Sequence, residues 1–301
     1  MEDGLVYKST GSSYRVKING EMQDCILTNK YRLENKRTTN PLAVGDEVEV
    51  NTEKIPFVIE TIRQRRNYII RKSVNLSKES HVIASNIDLV LVVASVAKPR
   101  TSTGFIDRIL VTAEAYGIPA SVVFNKSDAM TEKETALTSE YVEEFDFLGY
   151  KTYVTSALQQ TGTDTLRDAL KNKTVLVIGH SGVGKSSLLN ALDPGLAIRT
   201  GDISKKHQKG THTTTFAEMH DTSFGARIID TPGVKEFGLL EIDARDLGGY
   251  FPEIRALSPQ CKFYNCRHKE EPDCAVIKGL EQGAIARFRY EDYLNMLESA
   301  R

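Results

Sequence analysis

Val175-Leu176-Val177-Ile178-Gly179-His180-Ser181-Gly182-Val183-Gly184-Lys185-Ser186-Ser187-Leu188-Leu189 is the stretch whose reading decides the fold. A short apolar run reads as a buried strand. G-x-x-x-x-G-K-S follows from Gly179 to Ser186, and an apolar helix start comes next at Leu188, Leu189 and Ala191. Strand, glycine-rich turn and helix N-terminus are the context a phosphate-binding loop needs. Glycines let the backbone curl so that successive N–H groups converge, and the helix N-terminus adds partial positive charge. The segment therefore predicts a polyphosphate cradle formed by Gly179, Ser181, Gly182, Val183, Gly184, Lys185, Ser186 and Ser187. Lys185 reaches the terminal phosphates, and the Ser186 hydroxyl sits on Mg²⁺. His180 occupies a variable position of the loop and is read as neutral to the chemistry.

Two further stretches name the base. Asp230-Thr231-Pro232-Gly233 follows the apolar run Ala226 to Ile229, which makes it a D-x-x-G at a strand end. Asp230 is expected to hold Mg²⁺ through water, and the Gly233 N–H to meet the γ-phosphate. Asn125-Lys126-Ser127-Asp128 follows the strand-like Ala120 to Phe124. It is an N-K-x-D, resembling the guanine-reading element of GTPases. A carboxylate at Asp128 accepts hydrogen bonds from guanine N1–H and the 2-amino group. Adenine has neither donor there, so it leaves buried polar groups unpaired. Thr155-Ser156-Ala157 follows another strand-like run, Tyr150 to Val154, and looks like the companion element, placing Ser156 and Ala157 against the base. In combination these parts make GTP with Mg²⁺ the expected ligand.

The order of the parts is unusual. Familiar GTPases run from P-loop through the switch threonine and D-x-x-G to N-K-x-D and the S-A element. Here N-K-x-D and T-S-A precede the P-loop, the Thr-rich segment 211–215 and D-x-x-G. Such a circular permutation preserves the sheet when the old termini lay close together. The chain following D-x-x-G then leads straight into the C-terminal unit. In this feature the chain resembles the circularly permuted, small-subunit-dependent ribosomal GTPases of the RsgA family, over nearly its whole length.

Composition agrees with several globular units. At 301 residues, with 40 % apolar and 26 % charged side chains, there is enough chain for two or three domains. A net charge of −1 makes no case for nucleic acid by itself. No apolar run is long enough to span a membrane, and the acidic start Met1-Glu2-Asp3 lacks a signal-peptide pattern, so a cytoplasmic protein is expected. No heptad or long apolar edge asks for a dimer, and a monomer is expected.

Residues 1–72 contain about five short strand patterns, Gly4–Lys8, Tyr14–Ile18, Gln23–Leu27, Asp46–Val50 and Phe57–Thr61, which suit a small OB-type β-barrel. Lys30, Arg32, Lys36, Arg37, Arg63, Arg65, Arg66, Arg71 and Lys72 cluster with Tyr31 and Tyr68. The cluster suits a solvated barrel face or a grip on RNA phosphates and bases. The family resemblance implies the second, toward 16S rRNA. Residues 73–240 alternate strands and helices, which predicts a mostly parallel sheet with ligands at the strand carboxyl ends. Within them, Gly195 to Phe216 is polar and aperiodic and matches switch I. Thr214 is the favoured Mg²⁺ ligand, with Thr213 and Thr215 at neighbouring spacing. Lys205, Lys206 and Lys209 suit either a solvated loop or a ribosome contact.

Val234 stands where many GTPases carry a water-orienting glutamine, so slow basal turnover is expected. The residues alone leave His212 as a surface or a catalytic histidine. The family pattern implies that it positions or deprotonates the attacking water.

Residues 241–301 form a third, helical unit, with helical stretches at Ala244–Tyr250 and Ala284–Leu297. Cys261, Cys266, His268 and Cys274 lie within fourteen residues. Three thiols and one imidazole suit a closed tetrahedral zinc site, structural because no position stays open. The spacing is that of the RsgA family. The reading is thus a multidomain α/β protein: an OB barrel, a circularly permuted P-loop GTPase, and a zinc-clipped helical domain. The function implied by the resemblance is GTP hydrolysis on the small (30S) ribosomal subunit, coupled to late maturation and to release of the protein.

Overall fold

The computed structural model describes residues 1–10, 13–28, 41–72, 80–198, 217–231 and 242–299. Strands β1 (Glu2–Ser9), β2 (Tyr14–Ile18), β3 (Glu21–Leu27), β4 (Glu47–Asn51) and β5 (Phe57–Ile62) close on themselves in the order β1-β2-β3-β5-β4-β1. That is the five-stranded OB barrel expected. Alternation sets the barrel core: Tyr14, Val16 and Ile18 point inward from β2, with Arg15 and Lys17 on the other face. Val6, Leu27, Val48, Val50 and Ile59 fill the rest.

A ribbon of β6 (Tyr68–Lys72) and β7 (Ser80–Ser85) follows and was not read from the sequence. It pairs across position 72, where the sequence reading separates its first two units. The ribbon is tied to the barrel through Asp46, which is fully buried and accepts from Arg65 at 2.6 and 2.7 Å and from the Ser85 hydroxyl at 2.6 Å.

The second sheet holds β8 (Leu89–Ala94), β9 (Ala120–Phe124), β10 (Lys151–Val154), β11 (Thr174–Ile178), β12 (Glu218–Asp221) and β13 (Arg227–Asp230), ordered β10-β9-β8-β11-β13-β12. All neighbours are parallel except β12 and β13. Every residue of β8 and β11 is buried, because helices cover both faces. Val90, Val92, Leu176 and Ile178 face α1 (Thr103–Ala115) and α2 (Glu132–Phe147). Leu89, Leu91, Val175 and Val177 face α3 (Thr163–Leu170) and α4 (Lys185–Leu192). α2 begins nine residues before Tyr141, one of the side chains it packs against the core. Its start is fixed by a capping box, with the Thr131 hydroxyl accepting from the Glu134 N–H and Glu134 accepting from the Thr131 N–H.

The barrel joins the second sheet through β1 and β12, with Lys8 opposite Glu218. Lys8 pairs with Glu218 at 2.8 Å, and Asp221 accepts from Tyr7 Oη at 2.6 Å and from Lys17 Nζ at 2.5 Å.

The C-terminal unit contains α5 (Pro252–Leu257), α6 (Ala275–Glu281) and α7 (Arg287–Ser299). The expected helix over 244–250 is a single 3₁₀ turn, Leu247–Tyr250, since Gly248 and Gly249 disfavour a longer one. Leu247, Phe251, Ile254, Val276, Ile285, Tyr293 and Met296 form its core together with Val111 of α1. No described helix is long and apolar enough to cross a membrane.

Candidate nucleotide site and metal cluster

The parallel strands end at one edge of the sheet, and each motif begins where its strand stops. Asn125 follows β9, Thr155 follows β10, Gly179 follows β11, and Asp230 closes β13. Asn125 is 1 % exposed and ties three motifs together. Its Nδ2 donates to the Val183 carbonyl of the P-loop at 3.0 Å. Its Oδ1 accepts from the Thr155 hydroxyl at 3.1 Å and from the Ala157 N–H at 3.3 Å. The asparagine thus sets the distance between the P-loop and the N-K-x-D and T-S-A loops.

Asp128 stands exposed at the end of this group, and the Ser156 hydroxyl donates to its Oδ1. Ser156 therefore orients an exposed carboxylate. Lys126 has a left-handed backbone (φ 68°), and its Nζ donates to the Lys98 carbonyl at 3.1 Å.

Two P-loop glycines are required by their surroundings. Gly184 has φ +90°, and a Cβ there would lie 2.6 Å from Asn125 Nδ2. A Cβ on Gly179 would lie 2.3 Å from the Val93 carbonyl oxygen. Lys185 opens α4, and its Nζ donates to the carbonyls of Gly179 at 2.6 Å and His180 at 3.0 Å. Burial lowers its pKa, and the Asp230 carboxylate opposes that shift. Burial likewise raises the pKa of Asp230, against the opposing charges of Lys185 and His220. Opposite charges thus face each other in a poorly hydrated site, the setting in which a metal-bound polyphosphate gains most from both. The Thr231 hydroxyl donates to the Val177 carbonyl at 3.1 Å and anchors the chain as it leaves β13.

His180 is engaged with α1: its ring packs, tilted by 31°, on Phe105 with centroids 3.6 Å apart. The segment Ser95–Ser102 also reaches the site, Pro99 lying 3.2 Å from where a Cβ on Gly182 would sit. Neither contact carries a motif signature, so only the fold reveals them. Switch residues Thr211, His212, Thr213, Thr214 and Thr215, the lysines Lys205, Lys206 and Lys209, and Gly233 and Val234 lie outside the described residues.

The second constellation is Cys261, Cys266, His268 and Cys274, whose ligand atoms all lie within 4.8 Å of one another. Tetrahedral coordination with bonds of roughly 2.3 Å to sulfur and 2.0 Å to nitrogen implies ligand–ligand edges of about 3.8 Å (S···S) and about 3.5 Å (S···N). Cys261 Sγ and Cys274 Sγ are 3.9 Å apart, and His268 Nδ1 is 3.6 and 3.4 Å from them. The cluster fits a zinc ion in size and donor set. The knuckle around it is held by Glu271, whose carboxylate accepts the N–H groups of Arg267, Lys269 and Glu270. Those bonds outweigh its burial and lower its pKa to about 2. Tyr290 Oη donates to the His268 carbonyl at 2.6 Å, and Tyr293 Oη to that of Arg267 at 2.8 Å.

Of the basic barrel cluster, Arg63 pairs with Asp3 and Glu49, Arg65 with Asp46, and Arg66 with Asp88. Tyr68 packs its ring against Tyr116, centroids 5.6 Å apart, and stays 41 % exposed. Lys30, Tyr31, Arg32, Lys36 and Arg37 lie outside the described residues.

A family model described as RsgA GTPase matches residues 62–240. A protein of Flavobacterium johnsoniae named small ribosomal subunit biogenesis GTPase RsgA is 48 % identical over 98 % of this chain and 92 % of its own length. One of the same name from Bacteroides fragilis is 48 % identical over 98 % of this chain and 96 % of its own. Among solved structures, YjeQ from Thermotoga maritima superposes with a TM-score of 0.79 at 34 % identity, covering 99 % of this chain and 98 % of that one. YloQ, described as a circularly permuted GTPase, gives 0.74 at 29 % identity, covering 100 % and 95 %. With its N-K-x-D and T-S-A loops ahead of its P-loop in the chain and all of them at one sheet edge, the chain belongs to the RsgA family of circularly permuted GTPases.

Proposed function

We propose that this protein binds the small (30S) ribosomal subunit and couples GTP hydrolysis to late subunit maturation and to its own release. The observation that carries this reading is the bridge at Asn125, which holds the P-loop and both guanine-reading loops as one site. The small-subunit role rests on the names of relatives that match from end to end. Asn125, Lys126, Asp128, Ser156 and Ala157 bind guanine. Gly179, Ser181, Gly182, Val183, Gly184, Lys185, Ser186, Ser187 and Gly233 surround the phosphates. Ser186, Thr214 and Asp230 would hold Mg²⁺, which would supply charge neutralisation for phosphoryl transfer.

His212 positions the water that attacks the γ-phosphate, the task Val234 cannot perform. Residues 1–72 grip 16S rRNA, 73–240 hydrolyse GTP, and 241–301 form the unit clipped by one structural zinc ion at Cys261, Cys266, His268 and Cys274. The protein acts as a cytoplasmic monomer.

The test is GTP turnover alone, with purified small subunits, and with large subunits. A large stimulation by small subunits only, lost in His212→Ala with GTP affinity retained, is the expected result. Fast turnover indifferent to subunits would replace this reading with a free-standing GTP hydrolase. Full stimulation in His212→Ala would remove the histidine from the mechanism.

A further inference from the structure

His268 is 4 % exposed, and both ring nitrogens have assigned neighbours. Nδ1 faces Cys261 Sγ and Cys274 Sγ, and Nε2 lies 3.1 Å from the Ser258 hydroxyl. The same hydroxyl lies 2.7 Å from the Ile254 carbonyl oxygen. Two oxygens that close need a proton between them, and a carbonyl carries none. Ser258 has one hydroxyl proton, so it goes to Ile254, and the oxygen can only accept from the imidazole. The proton of the ring therefore sits on Nε2, and the Nδ1 lone pair points among the thiols.

We infer that Ser258 is a positioning residue of the metal cluster, fixing His268 as an Nδ1 ligand by accepting its Nε2–H. This rests on the zinc reading proposed above. Outer partners of this kind select the ligating nitrogen and lock the ring plane. The backbone is locked as well: His268 takes a left-handed conformation (φ 58°) and its carbonyl accepts from Tyr290. Ser258 lies at the end of α5, so the metal site is referenced to the helical core and not to its own loop alone. Without the serine oxygen, a buried Nε2–H has no acceptor. The imidazole then gains by turning or by changing tautomer, and either motion withdraws Nδ1.

The experiment uses the full-length protein. Competition with a chromogenic chelator is expected to show zinc affinity falling by about 10- to 100-fold in Ser258→Ala, with Ser258→Thr, which keeps the acceptor, near wild type. In ¹⁵N-histidine spectra of the zinc-loaded wild type, His268 is expected to carry its proton on Nε2. Unchanged affinity in Ser258→Ala, or a metal-bound Nε2, overturns the assignment. The ¹⁵N spectrum alone decides if Ser258→Ala does not fold. Cobalt substitution separates the two readings. Lack of a tetrahedral thiolate spectrum in the wild type removes the zinc site itself. A normal spectrum with equal affinities in wild type and Ser258→Ala removes only the serine's role.

Discussion

Arg289 of α7 and Asp107 of α1 form an ion pair in which both side chains are 0 % exposed. Arg289 also donates to both oxygens of Glu253, at 2.7 and 3.2 Å, and its guanidinium lies 4.7 Å from the Phe251 ring centroid. The C-terminal unit is thus fastened to the GTPase sheet's own helix by one buried cation. Arg289→Met keeps much of the volume but leaves Asp107 and Glu253 without their counter-charge. The expected loss is about 3–5 kcal/mol in urea unfolding, the scale for breaking a buried pair. An unchanged midpoint would show that the remaining contacts between the two units, the apolar packing and the Arg255–Glu114 pair among them, hold without this cation.

Asp107 has a pKa well above the ordinary carboxylate value. Burial is the main cause; Arg289 opposes it, and Asp292 and Glu253 reinforce it. Asp292, itself raised chiefly by burial, is hydrogen-bonded to Asp107. Relative to the unfolded chain, the native state therefore holds the Asp107 proton more tightly. Its contribution to stability is full below the ordinary carboxylate pKa and is lost as pH rises through the raised native value. Asp107→Asn cannot ionise, yet keeps an acceptor for Arg289 and a donor for Asp292. The urea midpoint of the variant is expected to fall less with rising pH than that of the wild type. Parallel profiles would show that Asp107 does not carry this dependence.

Removing the bridge at Asn125 should be felt on both sides of the nucleotide. Asn125→Ala leaves the Thr155 hydroxyl and the Ala157 N–H without their acceptor, a loss of roughly 1–3 kcal/mol in a buried setting. Fluorescent GDP and GTP are expected to weaken together, by about 5- to 150-fold. A selective loss of GTP alone would mean that Asn125 acts on the γ-phosphate and not on loop spacing.

Chelation of zinc is expected to melt the C-terminal unit first. Its core holds Tyr290 and Tyr293, so near-ultraviolet tyrosine dichroism reports on it. The chain has no tryptophan to obscure that signal. GDP affinity should survive in part, because every described P-loop and N-K-x-D contact lies outside this unit. Complete loss of GDP binding together with the tyrosine signal would show one cooperative unit.

The site was more legible in the sequence than the joints between units. The motifs carry fixed spacings, and β2 was read to the residue because Tyr14, Val16 and Ile18 alternate with charge. β12, Glu-Met-His-Asp, has no such signal. It is a strand because β13 and β1 supply hydrogen bonds on either side. Arg289 sits in Arg-Phe-Arg-Tyr-Glu-Asp-Tyr, where nothing local distinguishes the buried cation from its exposed neighbours; the partners are distant in sequence. The Ser258 contact is hidden for the same reason, since a serine at a helix end ordinarily signals a cap.

The β1–β12 pairing has a consequence for solubility. A sheet that stopped at β12 would present an unsatisfied row of N–H and C=O groups, the template on which another chain adds a strand. Here β1 of the barrel pairs with the start of that row, at Lys8–Glu218, and the barrel, being closed, offers no new edge in exchange. Among the described residues β10 is left as the remaining open margin, a short strand begun by Lys151. The N-terminal barrel is therefore also a stopper. A fragment cut between barrel and sheet would be left with a sticky side that the intact chain keeps covered.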